Sequence, residues 1–337
     1  MTRALVAVLI ASCTAWGALA LRYQGPLGRV AKTMSVAGWC LFGLAAEAGL
    51  FMGRLPTAVG AFALGYVALL LWWRSLEPSN NRAWADDVAR TVRGTADGSR
   101  ITLTDVRSFI WRTPTDYTPR WITSSYDLDR LRSLDLIVSY WTGPAIAHVL
   151  LSFGFGDGRH IVFSVEIRRE KTEEFSEIGG FFKEFELCII ASEERDIVRL
   201  RTNVRREDTY LYRLRLSETA MRSLFLAYVA EANDLARAPR FYHTITANCT
   251  TLVYVMLKRI LRRLPFSYRV LLSGYVPEYV YEVGGLDRRY SIEELRTLAY
   301  ISERARSADE SETFSRDIRA GIPALEAATA ASPERRP

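Results

Sequence analysis

Cysteine and histidine are scarce in this chain. Four cysteines, Cys13, Cys40, Cys188 and Cys249, are spread over 337 residues. No two form a CxxC pair, so neither a disulfide framework nor a dithiol redox motif is written here. The three histidines, His148, His160 and His243, show no metal-ligand spacing with each other or with the cysteines. That argues against a zinc site, and no other metal or cofactor is expected. Clustered positive charge is also missing. The net charge is +6, yet Lys and Arg are scattered, with no zinc finger, RNA-binding signature or basic stripe. Nucleic acid is therefore not an expected partner. The mild basic excess suits contact with anionic lipid headgroups. Internal repeats are absent.

Long uncharged runs are present, all in the first quarter of the chain. Ala4–Leu21, Ser35–Phe51 and Thr57–Trp73 are each close to the roughly 20 residues that cross a bilayer. Three transmembrane helices are expected, with Trp72 and Trp73 at an interfacial belt. The first run contains "IASC" (Ile10 to Cys13), as a lipoprotein signal does. Its apolar character continues past Cys13, which fits an anchor better than a cleaved signal. Glu47 lies inside the second run, either facing other helices or snorkelling from a helix end. Arg22, Arg29 and Lys32 flank the first loop, against Arg54 in the second. By charge alone the first loop, and with it the C-terminal part, would be cytoplasmic.

After a polar linker the pattern changes to strands. Ile101–Ile110, Trp121–Tyr126, Asp135–Tyr140, Ala147–Gly154, His160–Arg168, Glu184–Ala191 and Thr209–Leu216 are the candidates. Helical spacing follows Ser217, an N-cap type, up to about Ala236. A second helix is expected over Cys249–Arg263, ended by Pro265. A third spans Ile292–Ala305, with Ser291 and Glu294 at capping-box spacing. The expected organisation is a membrane anchor over 1–74, a linker over 75–88, one catalytic domain over 89–306 and a mobile tail over 307–337. Strands first and helices later make the fold class α+β.

One cysteine stands out. In "YHTITANCTTLVYVMLKRI" (Tyr242 to Ile260), Asn248 is a strong N-cap type, which puts Cys249 at the first helical position. Free backbone N–H groups and the helix dipole favour a negative charge there. A thiol nucleophile needs a base beside it and a group to orient that base. The hairpin around "FGDGR" offers both. If its turn is Gly156-Asp157-Gly158, Phe155 pairs with Arg159 and His148 faces Glu166, with Cβ atoms about 5 Å apart. A two-residue turn would instead turn Glu166 to the other face. His160 lies near the turn, roughly 20 Å along the strand at about 3.3 Å per residue. The plain alternative is a buried structural Cys249 with a hydrogen-bonded structural His148. Cys188, in "FELCII", reads as core.

Five blocks carry a family resemblance: "SYWTGPAIAHVLLSFGFGDG", "SVEIRREKTEEFSEIGGFFKEFELCIIASEERDIVRLRTN", "YLYRL", "FYHTITANCTT" and "LLSGYVPEYVYEVGGLD". Together they resemble the Lnb N-terminal periplasmic domain family, over roughly Pro78 to Arg306. The resemblance implies a membrane-anchored domain in the periplasm, at the bacterial inner membrane, against the charge bias. It implies a lipoprotein N-acyltransferase-like activity, with a membrane phospholipid as donor and an apolipoprotein amino terminus as a possible acceptor. It also implies a papain-like fold of the permuted NlpC/P60 type, an antiparallel sheet with helices. Lecithin–retinol acyltransferases, with "NCEHF", share that pattern; this chain has "NCTT". Carried over, Cys249 looks like the nucleophile and His148 like the base. Glu166 and His160 both remain possible third groups, and Asn248 or Tyr242 would support the oxyanion. A cysteine hydrolase (phospholipase, amidase or cell-wall peptidase) and a non-catalytic lipid- or partner-binding module remain as alternatives.

Overall fold

A computed structural model describes residues 2–25, 28–261 and 264–323. They form two compact units. The first holds α1 (Thr2–Gln24), α2 (Arg29–Phe51) and α3 (Leu55–Ser75). All three are long and apolar enough to cross a membrane. Leu9, Leu41, Leu44, Leu64 and Leu71 point outward, as lipid-facing side chains do. Inside, the helices approach through small residues. A Cβ at Gly17 would collide with Trp39 Nε1, the atom that donates to Thr14 O at 3.0 Å.

Two segments expected in the catalytic domain, 174–186 and 241–244, belong to this first unit. The Phe182 ring stacks on Tyr23 and meets Trp16 and Trp73. Gln24 Nε2 donates to Lys183 O at 2.5 Å, and Lys183 Nζ donates to Trp73 O at 2.7 Å. The C-terminal ends of α1 and α3 are thus tied to one short stretch of later chain.

The second unit is built on ten strands. They are β1 (Arg93–Asp97), β2 (Arg100–Arg107), β3 (Ile110–Trp111), β4 (Tyr117–Thr118), β5 (Trp121–Asp127), β6 (Leu131–Thr142), β7 (Ile146–Phe155), β8 (His160–Arg168), β9 (Glu186–Ser192) and β10 (Asp208–Arg213). The main sheet runs β1-β2-β9-β8-β7-β6-β10, with β5 also on β2, while β3 and β4 pair separately. Strands β7, β6 and β10 pair antiparallel, as does β7 with β8. β7 is buried along nearly its whole length because helices cover both faces. On one face α5 (Glu218–Arg237) sets Phe225 and Tyr228 against Phe153 and Phe163. Ser217 caps it, accepting from Ala220 N. On the other face α4 (Glu194–Arg199) runs into a π-helical turn, Leu200–Val204. α6 (Thr251–Ile260), α7 (Val276–Glu282) and α8 (Ile292–Ala299) follow, then α9 (Ser302–Ala308) and α10 (Phe314–Asp317). Ile197, Val198, Ile301, Phe314 and Ile318 cover Ile137, Leu150, Val162 and Leu211 there.

The α+β class and the apolar helices ahead of it are as expected. Four local readings change. The strand expected to reach Ile110 ends at Arg107, after a bulge inside it where Asp105 takes φ 57°. The strand expected from Glu184 starts at Glu186. The helix expected over Ile292–Ala305 is two, since Ile301 N leaves the helix to bond Thr209 O at 2.9 Å on the edge of β10. Its capping box, Ser291 with Glu294, is present. Residues 307–323 are no loose tail: Phe314 and Ile318 are in the core. The rest of the expected tail, 324–337, and the expected helix end at 262–263 lie outside the described residues.

Candidate active site

The hairpin register decides the site. Phe155 N donates to Arg159 O at 2.9 Å, and Gly158 takes φ 84° in a three-residue turn. Pairing runs from Gly154 with His160 to Leu150 with Ser164, and its continuation sets His148 opposite Glu166. His148 Nε2 lies 3.0 Å from Glu166 Oε1 and 2.7 Å from Ser164 Oγ. Ser164 Oγ itself donates to Glu166 Oε1 at 2.7 Å. Nε2 therefore meets only acceptors, and a neutral ring keeps its proton there. Cys249 lies close enough to the ring to act on its pKa as a hydrogen-bond partner, and with Nε2 engaged the nitrogen open to it is Nδ1. The His148 and Glu166 side chains keep 12% and 18% of their surface, so the ring edge is reachable. Cys249 is half-buried.

A charge chain backs this arrangement. Arg201, in the π-helical turn, places Nη2 3.7 Å from Glu166 Oε1 and Nη1 3.1 Å from Glu207 Oε2. Glu207 also accepts from Ser139 Oγ at 2.6 Å, and Ser139 pairs with His148 across β6 and β7. Burial and the Arg201 cation both act to lower the His148 pKa. The Glu166 carboxylate and the hydrogen bonds to Cys249 and Glu166 outweigh them, and the net shift is upward. Burial would raise Glu166, but His148, Arg201 and Ser164 hold it far below the usual carboxylate range.

Asn248 builds the turn that carries the cysteine. Its Oδ1 accepts from Thr250 N at 2.9 Å and Thr251 N at 2.8 Å. In return Thr251 Oγ1 accepts from Asn248 N at 3.1 Å, a reciprocal cap. Leu252 N closes the first turn on Asn248 O at 3.2 Å. Regular helix begins at Thr251, two residues later than expected, yet the capping residue is Asn248. Its carboxamide oxygen is committed to the helix, so Asn248 is placed as support for the cysteine. Tyr228 of α5 is a further neighbour: burial, then the adjacent Cys249, push its phenol up.

The other candidates fall elsewhere. His160 is at the turn end of β8, where Nδ1 lies 3.1 Å from Gly158 O. Burial and Arg319 lower its pKa against Glu194 and Asp135, a separate buried cluster. Of the two possible third groups, the one brought to His148 is Glu166. Tyr242 and His243 belong to the first unit. Tyr242 N donates to Phe185 O at 2.9 Å, and the His243 ring meets Phe181. Cys188 is fully buried, as expected of a core residue, and burial pushes its thiol up. Sequence reasoning did not single out Ser164, Arg201 or Tyr228 for the site. Ser164 carried a usable signal, being two residues before Glu166 on the same face of β8. Among the described residues no group of three or more His, Cys, Asp or Glu is placed to hold a metal ion.

Chemically, a thiol against an imidazole lone pair, with a carboxylate behind the ring, can move a proton from Sγ to Nδ1 and keep the resulting imidazolium stabilised. Residues 117–274, which contain His148, Ser164, Glu166, Arg201 and Cys249, match the family described as the Lnb N-terminal periplasmic domain. Nothing among curated proteins and nothing among solved structures matches the chain. Three helices able to cross a membrane, and a segment similar to a periplasmic domain family, together suggest a membrane protein with a periplasmic domain.

Proposed function

We propose that this protein is a membrane-anchored thiol acyltransferase, working through a thioester on Cys249. The observation that carries this reading is the His148 ring set between Cys249 and the partly buried Glu166 carboxylate. Proton transfer from Sγ to Nδ1 generates a thiolate beside an imidazolium. The thiolate attacks the ester carbonyl of a phospholipid and forms a tetrahedral oxyanion. As that intermediate collapses, the ester C–O bond breaks, and the imidazolium protonates the leaving lysophospholipid alkoxide. The acyl chain is then a thioester on Cys249. An amine attacks it, giving its proton to His148, and the thiol returns as the amide leaves. The N–H groups of Thr250, Thr251 and Leu252 are bonded to Asn248, so the backbone N–H of Cys249 itself is the one suited to meet the oxyanion.

The favoured acceptor is the amino-terminal cysteine of an apolipoprotein, which would place the domain in the periplasm at the inner membrane. The family match supports that side, although Arg22, Arg29 and Lys32 bias the charge the other way. The test uses the full chain in detergent with a diacyl phospholipid and a diacylglyceryl peptide bearing a free amino terminus. Acyl transfer predicts equal amounts of lysophospholipid and N-acyl peptide. His148→Gln should lower the rate about 10²- to 10⁴-fold. Free fatty acid in place of N-acyl peptide would make the enzyme a hydrolase, and no turnover of either kind would refute an enzyme.

A further inference from the structure

An apolar cavity lies in the second unit between α6, α7 and the sheet face of β6 and β7. Its volume is about 100 Å³, and it opens to the surface. Protein interiors leave few voids of this kind. The lining includes Val149 and Leu151 from β7 and Val253 and Leu257 from α6. Three lining residues carry a hydroxyl, and each hydroxyl is turned to a backbone carbonyl. Thr250 Oγ1 donates to Val270 O at 2.6 Å, Tyr254 to Leu264 O at 3.2 Å and Tyr279 to Pro265 O at 2.6 Å. Water entering would find almost no partners. A peptide would leave its backbone groups unpaired there.

We propose that this cavity holds the hydrocarbon tail of the acyl chain carried by Cys249. The proposal rests on the thiol acyl transfer reading and adds where the chain lies. Position argues for it from the helix side, since Thr250 of the lining follows Cys249 directly. Val253 and Leu257 come one and two turns after Cys249 along the same stripe of the helix. The segment between α6 and α7 argues for a lipid occupant as well. Phe266 and Tyr268 there are 62% and 61% exposed, and the Phe266 ring meets Tyr254 of the lining. Large apolar side chains beside an apolar void suit entry of a chain from a lipid phase.

The test uses the full-length protein in detergent and palmitic acid bearing a photoreactive diazirine at its far end. Cys249→Ala serves as the background, so that binding is read without chemistry. Peptide mapping is expected to find the crosslink in α6 and α7. Val253→Trp should lower that labelling at least tenfold, with labelling of α1 to α3 unchanged as the internal control. Leu257→Phe, a smaller intrusion, gives the same reading if the tryptophan variant does not fold. Labelling confined to α1 to α3, or unmoved by both variants, overturns the proposal. A labelled cavity in a protein that never carries an acyl mass would sink the transfer reading and leave the cavity as a site for free fatty acid. An acyl-enzyme with an unlabelled cavity would sink this proposal alone.

Discussion

At Nε2 the His148 ring meets two acceptors, and this fixes what Glu166 is for. Replacing it by Gln removes the main force that raises the His148 pKa and leaves burial and Arg201, which both lower it, opposed only by Cys249. Glu166→Gln is therefore predicted to slow acylation and move its acid limb to lower pH, read from a pH–rate profile. Stability should follow the same groups. Raised His148 contributes fully below its ordinary value of about 6.5 and loses this as pH rises through the folded value. Depressed Glu166 contributes above its ordinary value of about 4.3 and loses this as pH falls. The wild-type advantage over Glu166→Gln in thermal unfolding should thus be largest between about pH 4.3 and 6.5. A difference flat across pH would contradict the pairing. The His148–Glu166 pair was legible in the sequence because a hairpin register is local, set by Gly156-Asp157-Gly158. Arg201 was not legible. It arrives from a π-helical turn 35 positions after Glu166, and no local periodicity announces such a turn.

The start of α6 shows how one side chain shapes an element. Asn248 satisfies two backbone N–H groups of the first turn and thereby sets the position of Cys249. Asn248→Ala should cost about 1–2 kcal/mol in unfolding experiments and lower activity further by loosening the cysteine. Asn248→Asp keeps the acceptor and should recover most of the stability. Equal losses in both variants would remove the capping argument. The cap was legible as Asn-Cys-Thr-Thr ahead of an apolar run. The split of α8 from α9 was not, because it depends on Ile301 bonding Thr209 from β10, distant in sequence.

At the scale of the whole molecule, the polar stretch after 306 misled composition-based reading. "SADESETFSRD" has few apolar residues, but Phe314 and Ile318 are spaced one helical turn apart and both are buried. Arg319 then reaches a buried cluster, with Nη1 2.8 Å from Glu194 Oε2 and Nε 2.9 Å from Asp135 Oδ2. Arg319→Met leaves those carboxylates undercompensated and should destabilise by about 3–5 kcal/mol, measured by chemical unfolding. A loss below about 1 kcal/mol, the scale of a surface ion pair, would mean the segment is dispensable. The grouping of 174–186 with α1 to α3 was equally hidden, since those residues read as one block with the strand that follows.

The account stands or falls on a covalent intermediate at Cys249. The most direct measurement is the intact mass of the full-length protein after incubation with phospholipid, before and after neutral hydroxylamine, with Cys249→Ala beside it. A mass gain of one acyl chain, present only with Cys249 and removed by hydroxylamine, is the predicted result. No adduct on the wild type, with lysophospholipid released equally by wild type and Cys249→Ala, would contradict it.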